Sequence, residues 1–139
     1  MIWESAAIMS HLVDAHREVP MAPVAGTREG AKHDVFLVAA HTDLEEPLWT
    51  IAKHKFVYPE HLRSEAAVAA ARFDWSHKTK VLDSLVPKNN FLFGSQLTAA
   101  DIALAYVFNW AKKIELIEDF ELLQQYFLRC RQRPCSTLG

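Results

Sequence analysis

The stretch Leu97-Thr98-Ala99-Ala100-Asp101-Ile102-Ala103-Leu104-Ala105-Tyr106-Val107-Phe108 decides the fold. Thr98 is placed to cap a helix, and Asp101, three residues on, to accept from the Thr98 backbone N–H. This is a capping box with Asp in place of the usual Glu or Gln, flanked by Leu97 and Ile102 as an apolar staple. The residues from Ala103 to Phe108 are almost all apolar, so the helix they continue is expected to run through the middle of the domain. A buried helix start is costly unless capped, because its first N–H groups have no partner within the helix. Thr98 and Asp101 are therefore read as structural caps, and Asp101 as a cap in preference to a general acid or base.

Outward from this segment, spacing near 3.6 residues fills the chain and strand-type alternation is nearly absent, which predicts an all-α fold. Ser5, ahead of Ala6, Ala7, Ile8, Met9 and Leu12, reads as the N-cap of a short helix with His11, His16 and Arg17 toward its far end. Pro20, Pro23, Gly26 and Thr27 make a loop. From Arg28 to Phe56, Phe36, Ala40, Leu44, Leu48 and Ile51 form one core-facing stripe, and Pro47 predicts a kink or two shorter helices. A second long helix is expected from Pro59-Glu60 toward Pro87, with Leu62, Ala66, Ala69, Phe73, Val81, Leu82 and Leu85 as its apolar edge. Phe120, Leu123, Tyr126, Phe127 and Cys130 predict a last helix that ends at Arg133-Pro134.

The 139 residues are 50% apolar and 23% charged, a composition that excludes intrinsic disorder. A formal charge of −2 leaves no electropositive surplus for phosphates or anionic lipid, so neither nucleic acid nor a membrane is expected as a partner. No apolar run approaches the roughly 18 residues of a membrane span. The segment Met1 to Val13 lacks a basic leader and is not read as a secretory signal. Cys130 and Cys135 are the only cysteines and are read as free thiols, in keeping with an expected cytoplasmic location. No metal site is expected, since His11 and His16, and His33 and His41, do not fall at the i, i+4 spacing of paired helical ligands. Cys-x-x-Cys, Gly-rich phosphate loops and Gly-x-Ser-x-Gly are absent from the sequence, and no cofactor is expected.

Several segments together resemble the glutathione S-transferases, specifically their helical C-terminal domain preceded by the last helix of the thioredoxin-like domain. Trp3-Glu4-Ser5-Ala6-Ala7-Ile8 is similar to that family's Glu-Ser-x-Ala-Ile segment, and Met21-Ala22-Pro23 to its interdomain loop. Phe93-Gly94-Ser95-Gln96-Leu97-Thr98-Ala99-Ala100-Asp101-Ile102 resembles the Gly-x-x-x-Thr-x-Ala-Asp segment that opens its central helix, and Tyr126 and Arg133-Pro134 match its closing pattern. The resemblance implies a remnant of the thioredoxin-like domain over residues 1–19 and an all-α domain over residues 20–139. It also implies glutathione as a weak ligand, with Ser5 on the γ-glutamyl carboxylate and Glu4 toward the amino group. A helix start suits such an anion. By the same resemblance, Trp110 would line the hydrophobic substrate pocket, and Phe36, Leu37 and His41 could face the same cleft. Large apolar residues at helical spacing are usually core, so packing is the preferred reading of Phe36 and Leu37.

The departure from the family is equally informative. The strands, the thiol-activating Tyr, Ser or Cys and the cis-proline loop that precede Glu4 in the family are not in this sequence. Glutathione's thiol would then stay near the reference value of about 8.5, and conjugation by this chain alone is expected to remain close to the uncatalysed rate. The expectation is a truncated transferase-like protein that pairs with a second copy. The alternatives are a functional transferase completed by a separate thioredoxin-like chain, or a helical interaction module.

Overall fold

A computed structural model describes residues 1–133 and residue 136. Pro134 and Cys135, and with them the predicted Arg133-Pro134 ending, lie outside the described residues. The architecture is all-helical, as expected: α1 (Ser5–Ala15), α2 (Arg28–Ala39), α3 (Glu46–Ala52), α4 (Glu65–Asp83), α5 (Ala99–Lys113) and α6 (Glu121–Arg131). Nine residues of α5 are buried, and Leu37, Leu44 and Leu48, Trp75, and Tyr126 and Phe127 pack around it from α2–α3, α4 and α6. No helix among the described residues is long and apolar enough to cross a membrane.

The start of α5 shows why the sequence places this helix in the middle. Thr98 and Asp101 form the expected capping box. Ala99 N–H donates to Met21 O at 2.8 Å and Ala100 N–H to Nε2 of His33 at 3.3 Å. A buried helix start thus finds partners on the connecting loop and on α2, which ties three segments together.

Near Pro47 the stretch from Arg28 to Phe56 divides into two shorter helices, α2 and α3, as expected, whereas the second long helix and the helix start at Ser5 need correction. Ala40–Glu45 form a π-helical turn, Pro47 falls in the first turn of α3, and a second π-turn follows at Lys53–Val57. The wider turn supplies the extra residue that lets the pyrrolidine ring clear the preceding carbonyls.

The second long helix begins at Ser64, not at Pro59. Glu60–Leu62 make only a 3₁₀ turn, Arg63 is extended, and the Ser64 side chain caps by accepting from Ala67 N–H at 3.2 Å. Its buried face is Val68, Ala71, Trp75, Thr79 and Leu82, whereas Leu62, Phe73, Val81 and Leu85 stand in solvent. Trp75 decides the orientation, because burying the indole requires a partner for its N–H, and Leu116 O accepts at 2.7 Å.

At the chain's start, Ser5 is the first helical residue and Glu4 holds the cap position at φ 71°, with no side chain capping the helix. His16 lies at the C-cap and Arg17 beyond the helix, paired with Asp14.

Candidate functional site

Helix α1 rests on the bundle through Ala6 and Met9. Its N-terminus opens on a cleft of about 540 Å³. Glu4 and Ser5 form one side, and His41, Glu45, Trp49 and Lys53 of the long helix form the other. Ile8 N–H bonds to Glu4 O at 2.9 Å, so the N–H groups of Ser5, Ala6 and Ala7 precede the first intrahelical bond. Unlike the start of α5, this one is exposed and uncapped, and its amides and dipole are available to an anion. Glu4 reaches its place through a left-handed backbone, a strained conformation for a residue with a side chain.

On the facing wall, His41 lies in the π-turn, and its Nδ1 is 2.7 Å from Oε2 of Glu45. In the neutral ring, donation from Nδ1 leaves the lone pair on Nε2, which is buried and has no partner among the described residues. Trp49 is half-exposed and stands edge-on to Trp110, with ring centres 5.3 Å apart at 89°. Trp110 itself is not among the residues lining the cleft and meets it through this contact with Trp49.

The structure brings Glu4, Ser5 and His41 together around this cleft and does not bring Phe36 and Leu37 there. Leu37 is buried in the core. Phe36 packs edge-on against Phe93 and lines a separate groove between α2 and the segment before α5. On a helix the residue that faces the cleft with His41 is Val38, and Phe36 lies two positions, about 200°, away from it. Sequence reasoning missed Glu45, Trp49 and Lys53. Their signal was present, because positions 41, 45, 49 and 53 recur at intervals of four.

Asp101 is fully occupied as a structural group. It accepts from the Thr98 backbone N–H at 2.8 Å, the Thr98 hydroxyl at 2.7 Å, Leu92 N–H at 2.9 Å and the Tyr126 hydroxyl at 2.5 Å. Burial, then the Asp101 charge, pushes the Tyr126 phenol well above its usual range. Burial and the same carboxylate raise the Cys130 thiol from 9.0 to about 12, which removes it as a nucleophile near neutral pH.

The fold is thus a helical bundle in which an uncapped helix start faces a His- and Trp-bearing wall across a cleft. Residues 45–134 match the family described as Glutathione S-transferase, C-terminal domain, and the chain belongs to that family. It is similar to the bacterial glutathione transferase BphK, solved as a ternary complex (TM-score 0.82, 21% identity, 96% of this chain and 64% of that one). It is also similar to a glutathione transferase of Phanerochaete chrysosporium, solved with oxidized glutathione (TM-score 0.83, 24% identity, 96% and 62%). In sequence it is 25% identical over 125 residues to Elongation factor 1-gamma of Trypanosoma cruzi, which covers 90% of this chain and 29% of that protein. The chain thus spans less than two thirds of the length of each relative.

Proposed function

We propose that this chain is the helical part of a glutathione-transferase-type site, binding glutathione weakly through Glu4 and Ser5 and presenting the cleft wall to a second substrate. The observation that carries the reading is the uncapped start of α1 opposite His41, because three free N–H groups at a helix N-terminus are a ready receptor for a carboxylate. Ser5 adds its hydroxyl to that carboxylate, and Glu4 receives the ligand's ammonium. His41 and Trp49 line the wall offered to the second substrate, and Trp110 packs against Trp49. Phe36 and Leu37 serve packing.

In this reading the chain does not conjugate by itself, since efficient attack needs a group that ionises the thiol. That group comes from a thioredoxin-like domain or chain beyond these residues. The chain works as a homodimer in the cytoplasm, with no resident cofactor.

Glutathione titrated into labelled protein is expected to shift the amide signals of Ser5, Ala6 and Ala7, and Ser5→Ala to weaken the effect. With a chlorodinitrobenzene-type electrophile, the chain alone should not exceed buffer. Turnover by this chain alone would refute the inactive reading, and unmoved α1 amides would refute the binding one.

The likeness to an elongation factor favours a second reading as a helical interaction module. Stoichiometric capture of a single partner, with no glutathione bound, would establish it.

A further inference from the structure

We infer that the Trp49 wall of the cleft, across from the anion-receptive start of α1, selects aromatic ligands carrying a positive charge over those carrying a negative one. The inference deepens the proposed function, since it concerns the second-substrate wall of the same site.

The wall offers two things at once. Trp49 presents a half-exposed indole, packed at right angles against Trp110. A rigid aromatic face of this kind binds another ring by stacking and a cation through its electron-rich face. Around it the charge is lopsided. Glu45 and Glu46 sit on the same helix within a turn of Trp49, and Glu4 closes the opposite side. Among the described residues lining the cleft, Lys53 is the single lysine, and the only other basic side chain, His41, is joined to Glu45.

Glu45 is more than a surface charge. Its side chain is only 18% exposed and is fixed at 2.7 Å from His41, so its field is weakly screened at the cleft. Glu46 is likewise held, by accepting from the Thr50 hydroxyl at 2.7 Å. With glutathione bound, its ammonium would be directed at Glu4 and not at Glu45 or Glu46, which leaves the long-helix pair to act on the second ligand. At about 540 Å³ the cleft has the size of an ordinary small-ligand pocket.

The test uses the whole chain, with no glutathione and no turnover. Three naphthalene probes share a ring and differ in charge: naphthyl-trimethylammonium, neutral naphthol and naphthalene sulfonate. Binding is read from the indole N–H signals of Trp49 and Trp110, with buried Trp75, donating to Leu116 O, as an internal control. The cation should bind about tenfold or more tighter than the sulfonate at low salt, with the preference shrinking as salt rises. Glu46→Gln keeps an acceptor for Thr50 and removes the charge. It should reduce the cation-to-sulfonate preference severalfold and leave naphthol unchanged.

Equal or tighter binding of the sulfonate would overturn the inference. So would a preference indifferent to Glu46→Gln, or Trp49 and Trp110 signals unmoved by the cation at millimolar concentration. Glutathione binding at α1 is scored separately on the Ser5 amide. Loss of that response with the charge preference intact would sink the proposed function and spare the selectivity, and the converse result would do the reverse.

Discussion

The Tyr126 hydroxyl donates to Oδ1 of Asp101 at 2.5 Å, which joins the middle of α6 to the first turn of α5. The same carboxylate holds Leu92 N–H, in the segment before α5, and both donors of Thr98. One fully buried group therefore positions a loop and two helices. Removing it strands donors that have no water to turn to. Asp101→Ala should cost about 3–5 kcal/mol, and Thr98→Ala about 1–2 kcal/mol, in urea-unfolding free energy. Similar costs for the two variants would refute the central role assigned to Asp101.

Alkali should weaken the fold. Both Cys130 and Tyr126 hold their protons in the folded state beyond the pH at which they release them when unfolded. Their contribution is complete below pH 9.0, the unperturbed thiol value, and falls as pH rises toward about 12, because the unfolded chain then binds fewer protons. Unfolding midpoints should decline across that window and flatten in the Cys130→Ala, Tyr126→Phe double variant. In a Cys135→Ser background, Cys130 should resist a thiol reagent at pH 8 and react at once in denaturant.

How much of this was legible depended on sequence distance. The Thr98–Asp101 box could be read because a helix start is written in adjacent residues. The acceptor for Ala100 could not, because His33 is 67 positions away and a lone histidine on an apolar stripe carries no mark of its partner. The α4 face was misread because Thr79 interrupts the buried stripe with a polar residue, while Phe73 and Val81 are exposed. The cleft wall was half legible. Four residues advance an α-helix by about 40° beyond a full turn, so positions 41 to 53 drift apart on an ideal helix. The π-turn at Ala40–Glu45 takes up part of that drift, and its place is not evident from composition.

Self-association should be measurable. Val35 on α2 is 65% exposed, and Phe73 and Val81 on α4 are 71% and 56% exposed. At about 25 cal/mol per Å², covering a few hundred Å² of such surface supplies several kcal/mol toward pairing. Sedimentation at micromolar concentration should show a dimer, and Val35→Asp with Phe73→Asp should shift it to monomer without loss of helix content. A monomeric parent protein would dismiss the dimer.

His33 offers the sharpest test of how α2 holds α5. Its ring is buried, Nε2 accepts from Ala100 N–H at 3.3 Å, and Nδ1 lies 3.4 Å from Oδ1 of Asp34. Acceptance at Nε2 requires the ring hydrogen on Nδ1, where the Asp34 carboxylate receives it. Leucine in its place would fill the volume and supply no acceptor. His33→Leu should therefore cost about 1–3 kcal/mol. Amide exchange should rise most at Ala100, while Ala99, bonded to Met21 O on the loop, stays protected. If packing against Phe93 were the whole role of the ring, leucine would restore stability and Ala100 would keep its protection. The exchange rates of these two neighbouring amides thus separate a hydrogen-bonding histidine from a space-filling one.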